Sequence, residues 1–216
     1  MKIVLLSETD SIINDLVMEL RNVDIQNDQM RFNANIEKLG MILGYEASKH
    51  LDFSDYTFTT PYNGCQTQII KGNPVLYTIL RAGLALQKGV QNIFPSSPCA
   101  YIAAKHVHSG HPELKYIDAP QIDEQVVILS DPIIATGKNI SYAIDSIKKF
   151  GKPLKFVILS VISTSPAIEY LSQILPENTV FITCQVDNFT PGVRGTDPGV
   201  GDMGDLLFGE KIKIEY

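Results

Sequence analysis

Val126-Val127-Ile128-Leu129-Ser130 runs directly into Asp131-Pro132-Ile133-Ile134-Ala135-Thr136-Gly137-Lys138-Asn139, and then into Ile140, Ala143, Ile144 and Ile147. The first run is apolar and of strand length, the last set falls at helical spacing, and a polar, glycine-bearing loop joins them. Gly151 suits the stop of that helix. The same strand, loop, helix grammar governs the chain from residue 74. Residues 75–80 form another buried-strand run, followed by Arg81-Ala82-Gly83 and a helical stretch over 84–90. Residues 99–104, 156–162 and 180–186 read as further strands, and Ser165-Pro166 opens a helix with proline at its first position. Continuous apolar strands alternating with amphipathic helices predict an α/β fold, a parallel sheet flanked by helices on both faces. Ligands in such sheets sit outside the carboxyl ends of the strands, where the unusual loops of this sequence fall.

Upstream, the N-terminal quarter reads as helical. Asp10 is a candidate cap for a helix striped by Ile12, Ile13, Leu16, Val17 and Leu20, and a second helix carries Phe32, Ile36, Leu39 and Leu43. Residues 56–60 and 66–70 are β-rich runs on either side of Asn63-Gly64, a hairpin signal. The 216 residues are expected to form a single domain: helices and hairpin over 1–72, an α/β core over 73–187 and a tail over 188–216. A composition of 44% hydrophobic and 19% charged residues excludes a disordered or fibrous chain. A net charge of −6 argues against nucleic acid as the main partner and leaves room for a backbone cradle that binds phosphate. Cys65, Cys99 and Cys184 contain no CxxC pair and lie in apolar β runs, so they read as reduced core residues. The start of the chain lacks the long apolar core of a signal peptide, and the apolar run over 154–162 is too short to cross a bilayer. A soluble, cytoplasmic protein is expected.

Three loops could carry chemistry. Residues 131–139, between strand and helix, form a natural anion site: helix N-terminal N–H groups, donors on Thr136 and Asn139, the charge of Lys138, and Asp131 placed to accept from sugar hydroxyls. The plainer reading is a turn that needs Gly137, with Asn139 as the helix cap. Leu80-Arg81-Ala82-Gly83-Leu84 lets backbone approach a ligand while Arg81 holds a pyrophosphate, or is only a tight turn with a surface arginine. The tail over 194–205, with four glycines and three aspartates, is too loose for a helix or central strand and could wrap a flat ring. Its aspartate spacing does not fit an EF-hand. His106, His108 and His111 could bind a metal but read better as a solvated loop.

Together these motifs resemble the uracil phosphoribosyltransferases, a branch of the type I phosphoribosyltransferases, nearly from end to end. Residues 28–47, with Arg31-Phe32 and Gly44-Tyr45-Glu46-Ala47, look like the family's N-terminal helical segment. Ile79-Leu80-Arg81-Ala82-Gly83-Leu84 looks like its pyrophosphate loop, and Asp131-Pro132 through Ala135-Thr136-Gly137 is similar to its phosphoribosyl motif. Pro198-Gly199-Val200-Gly201-Asp202-Met203-Gly204-Asp205 resembles its base-binding tail. The resemblance implies a type I phosphoribosyltransferase-like sheet with N-terminal helices and a β-hairpin arm. It implies conversion of uracil and phosphoribosyl pyrophosphate to UMP and pyrophosphate, in pyrimidine salvage. Magnesium would be bound mainly through the substrate's pyrophosphate, with no metal site of the protein's own, and a GTP activator is left open. A homodimer or larger homo-oligomer is expected. Arg81 would contact pyrophosphate, Asp131 the ribose hydroxyls, and Pro132, Ile133 and Ile134 would lead into a 5′-phosphate site over Ala135, Thr136, Gly137, Lys138 and Asn139. Thr196, Gly201 and Met203 would read uracil, with Asp202 beside the ribose and reacting base.

Three departures stand at ligand-contacting positions. Lys105-His106 replaces the family's Tyr-Arg, putting His106 where an arginine would meet phosphoribosyl pyrophosphate. Lys138-Asn139 replaces Gly-Ser/Thr, and a Cβ at 138 is expected to strain backbone that glycine tolerates at φ > 0. Gly195-Thr196-Asp197 replaces Tyr-Ile-Val/Ile, which removes an aromatic cover and introduces a carboxylate that would repel a pyrimidine's carbonyls if it faced the pocket. Two other readings therefore stay open: a non-catalytic or weakly active paralogue that senses a nucleotide or phosphoribosyl pyrophosphate, and the same transfer to another base.

Overall fold

The computed structural model describes residues 1–106, 112–191 and 195–210, with backbone only at 104–106 and 112–115. The chain opens with β1 (Lys2–Leu5), then α1 (Ile12–Arg21) and α2 (Gln29–Ser48), and a hairpin of β2 (Phe53–Thr59) and β3 (Gly64–Ile70). The α/β region follows as β4 (Val75–Ile79), α3 (Gly83–Ile93), β5 (Cys99–His106), β6 (Pro112–Asp118), β7 (Val126–Ser130), β8 (Ile133–Ile134) and α4 (Lys138–Ile147). It ends with β9 (Lys155–Thr164), α5 (Ser165–Ile174), β10 (Val180–Asp187) and α6 (Met203–Phe208).

The main sheet runs in the order β1-β10-β9-β7-β4-β5-β6, with β8 paired to β9. Every pair is parallel except β5–β6. Alternation along the central strands splits the core in two. Leu76, Ile128, Val157, Leu159 and Ile182 face the side covered by α1, α2, α3 and α6. Tyr77, Val127, Leu129, Phe156, Ile158 and Phe181 face the side covered by α4 and α5. Both faces are therefore buried, which is why these strands read as unbroken apolar runs.

Several expectations change. The N-terminus begins with a strand, because Lys2–Leu5 pairs in register with Val180–Thr183, a contact that local pattern cannot reveal. Ser11, not Asp10, caps α1 by accepting from the Ile13 N–H, while Asp10 accepts from the Asn14 amide. The cap of α5 is Thr164, so Pro166 is the helix's second residue. The tail does form a helix: the Asp202 carboxylate accepts from the Asp205 N–H at 3.1 Å and caps α6, whose Met203 and Leu207 enter the core. Cys184 is buried as expected, whereas Cys65 and Cys99 are only half-buried, Cys65 because it stands on the hairpin.

Helices α2 and α3 cross at glycines. A Cβ at Gly89 would lie 2.0 Å from the Glu37 carbonyl oxygen, and one at Gly40 would lie 2.2 Å from that of Leu86. Both obstacles are helix backbone, so the helices would have to part. Gly89→Ala is expected to cost about 1–3 kcal/mol, lowering the melting temperature by roughly 2–10 °C. An unchanged melting temperature would contradict this close crossing.

Candidate active site

The carboxyl ends of β4, β7 and β10 open onto one cleft of about 1250 Å³. Leu80, Arg81 and Ala82 line it from the first loop, Asp131 to Gly137 and Asn139 from the second, and Phe189, Thr190, Pro191, Gly195, Gly201, Asp202, Met203, Gly204 and Glu210 from the tail.

The loop after β7 is fixed from its carbonyl side. The Pro132 carbonyl accepts from the N–H groups of Val161 at 3.1 Å and Ile162 at 3.0 Å. The two residues of β8 pair with Ile162 and Ser163, and the Thr164 hydroxyl donates to the Ala135 carbonyl at 2.7 Å. Gly137 then turns with φ +72 and serves as the N-cap of α4. Asn139 is therefore the helix's second residue, not its cap. A side chain at 137 would meet Leu171, Tyr170 and the Ala167 carbonyl. Lys138 is an ordinary helical residue: the one non-glycine residue with positive φ among the described residues is Glu124. The strain expected at 138 is absent because the left-handed turn falls one residue earlier.

The helix caps follow a pattern. Ser11, Asp28, Thr164 and Asp202 cap α1, α2, α5 and α6 with their side chains, whereas α3 and α4 have no side-chain cap. Both begin at the cleft, as does α6, which is capped there by the Asp202 carboxylate. First-turn N–H groups with no side-chain acceptor at the cap, at the positive end of a helix dipole, favour an anion.

Asp131 lies just past β7, its N–H donating to the Leu159 carbonyl at 3.0 Å. Burial pushes its carboxyl up to about 7, opposed by a hydrogen bond from the Ile133 N–H. The folded protein thus keeps this proton to about pH 7, whereas an unfolded chain would release it near pH 3.8. Arg81 donates to Asp205 at 2.9 Å and to the Gly209 carbonyl at 3.4 Å, joining the first loop to α6.

A further network holds the tail. The Arg21 guanidinium pairs with both oxygens of Asp187 at 2.9 and 2.6 Å and donates to the Gly199 carbonyl at 3.2 Å. The Gly199 N–H donates to Asp187 at 2.9 Å, and Asn188 and Asp197 exchange backbone hydrogen bonds at 2.9 and 3.0 Å. With its carboxylate only 2% exposed, Asp187 is a buried charge satisfied from two directions. Such a pair fixes position more than it adds stability. No sequence signal marked it, since its partners are 166 positions apart.

Of the residues singled out from sequence, Arg81, Asp131, Pro132, Ile133, Ile134, Ala135, Thr136, Gly137, Asn139, Gly201, Asp202 and Met203 converge on the cleft. Lys138 and Thr196 are not among its lining residues. Asp197 is exposed and also outside the lining, so its carboxylate does not confront a ligand there. Met203 is 3% exposed and packs its side chain into the core, leaving its backbone to the cleft. The side chain of His106, and His108, His111 and Arg194 altogether, lie outside the described residues. No group of three metal-ligating side chains occurs among the described residues, and no helix there is long and apolar enough to cross a membrane.

The family model for uracil phosphoribosyltransferase matches residues 7–210. The chain belongs to that family. A uracil phosphoribosyltransferase of Porphyromonas gingivalis is 35% identical over 98% of this chain and 100% of its own. Another, of Thermococcus sibiricus, is 33% identical over 93% of this chain and 87% of its own. In structure, the AQ2163 protein of Aquifex aeolicus matches with a TM-score of 0.85 at 22% identity over 98% of this chain and all of its own. A purine phosphoribosyltransferase of Pyrococcus horikoshii matches with a TM-score of 0.50 at 15% identity over 72% of this chain and 85% of its own. The mainly parallel sheet and flanking helices of this uracil phosphoribosyltransferase family member form a type I phosphoribosyltransferase fold, to which a separate hairpin is added.

Because the folded state keeps the Asp131 proton between pH 3.8 and about 7, stability contributed by that proton is lost as pH rises through this window. Asp131→Asn, which removes the titration, is expected to stabilise the ligand-free protein by a few kcal/mol at pH 8 and progressively less toward pH 5. Thermal melts across that range check it; a gain independent of pH would contradict the burial argument.

Proposed function

We propose that the protein transfers the 5-phosphoribosyl group from phosphoribosyl pyrophosphate to N1 of uracil, giving UMP and pyrophosphate. The observation that carries this reading is the convergence of a buried acid, an arginine-bearing loop, two helices without side-chain caps and a glycine-rich tail on one cleft.

In the reaction the C1′–O bond to pyrophosphate breaks, the C1′–N1 bond forms and the base gives up its N1 proton. Positive charge builds on the ribose while negative charge grows on the leaving group. Backbone N–H groups at the start of α4, with Thr136 and Asn139, hold the 5′-phosphate. Asp131 accepts from the ribose hydroxyls, and its charge, with that of Asp202, opposes the cationic character of the ribose. Arg81, exchanging its partners in the tail, takes the pyrophosphate. The backbone from Gly201 to Met203 reads the edge of the base. The acidic lining fits magnesium carried on the pyrophosphate: Asp131, Asp202 and Glu210 face the cleft without forming a protein-only cage. Bound there, the ion would neutralise charge on the leaving group.

The reading extends to a homodimer or larger assembly. Phe53, Tyr56, Phe58 and Ile69 are exposed on the hairpin, with the Tyr56 and Phe58 rings stacked at 6.3 Å between centroids. Sedimentation velocity showing only monomer would remove that extension.

Purified protein with magnesium, phosphoribosyl pyrophosphate and radiolabelled uracil is expected to form UMP at about 1–100 per second, with cytosine, hypoxanthine, guanine, adenine and orotate giving no nucleotide. Asp131→Ala is expected to cut turnover at least ~100-fold while keeping the wild-type circular dichroism spectrum. Product from another base would reassign the tail, and no product from any base would overturn the reading.

A further inference from the structure

Phe189 lies two residues beyond β10, is 36% exposed, and supplies the only aromatic ring among the described residues lining the cleft. A ring left in a ligand cleft, with most of the other described apolar lining withdrawn into the core, offers a flat π-face there. Its surroundings are built around it. The backbone exchange between Asn188 and Asp197 holds the two arms of the loop side by side. Gly195, on the returning arm, has φ +87, and a Cβ there would lie 2.8 Å from the Ala135 Cβ and 3.5 Å from the Phe189 Cε2. The ring thus stands beside a glycine that lets the tail pass between it and the phosphate loop.

A planar base whose edge is read by backbone still needs a partner for its face, and an aromatic face supplies it whatever the edge pattern. We propose that the Phe189 ring stacks on the bound pyrimidine and positions the base in this site. The inference rests on the proposed transfer to uracil. Phe189 covers one face of the base while the Gly201–Met203 backbone holds its edge.

Steady-state kinetics separate the two substrates. Phe189→Ala is expected to raise KM for uracil about 5- to 150-fold, with KM for phosphoribosyl pyrophosphate within about twofold of wild type; Phe189→Tyr is expected to restore it and Phe189→Leu to fall between. The chain contains no tryptophan, so Phe189→Trp gives a local reporter. UMP is expected to quench its emission saturably, and ribose 5-phosphate is not. An unchanged KM for uracil, an equal rise in both KM values, or equal quenching by ribose 5-phosphate would overturn the assignment. Wild-type turnover of uracil distinguishes the failures. Its absence would remove both the activity and this role, whereas an active enzyme indifferent to Phe189→Ala would remove this role alone.

Discussion

The parallel ladder through β4, β7, β9 and β10 is the constraint from which the site follows. Its register sets Thr78 beside Ser130, Ser130 beside Leu159, and Thr164 beside Asp187. Parallel strands all point their carboxyl ends to one edge, so Arg81, Asp131 and Asp187 leave the sheet on the same side. Each strand buries both faces, and burying one Val, Leu or Ile side chain is worth about 1.5–3 kcal/mol. A register slip would turn these residues to the wrong face, so the core that stabilises the sheet also fixes where the loops begin.

The loops are then held by different means. The β7 loop is tied through its carbonyls to β9 and to Thr164, leaving α4 to present N–H groups from a cap without a side chain. The tail is tied by Arg21 and Asp187 through Gly199, and by the Arg81–Asp205 pair. A chain with net charge −6 can in this way hold highly anionic substrates, because the positive potential is local and supplied by helix ends and Arg81. Asp131 fits the same scheme. Burial holds its proton to about pH 7, and in the proposed transfer the ribose hydroxyls and developing positive charge would offset the cost of its buried anion.

Much of this was legible in the sequence because the central strands are apolar throughout and the loops that follow them are not. The runs at 126–130 and 156–162, the hairpin at Asn63-Gly64 and the helix stripes all carry their period locally. What escaped depends on distant partners. β1 is a strand only because β10 lies beside it, and the antiparallel edge strand β6 is paired on one side alone. Asp187 needs Arg21, and Phe189 gains its position from the loop that brings Gly195 back. The helix α6 did have a local sign, Asp202 three residues before Asp205, but the glycines masked it. The departures at 138 and 197 carried less weight than their positions suggested: the left-handed residue is Gly137, and Asp197 is exposed outside the cleft lining.

The most direct test of a single site that takes ribose phosphate at the β7 loop and base at the tail is the structure of crystals soaked with UMP. The phosphate is expected against the N–H groups over residues 135–139, the ribose hydroxyls on Asp131, and the pyrimidine edge on the backbone of residues 201–203. UMP bound outside this cleft, or with its base on the β7 loop and its phosphate at the tail, would contradict it.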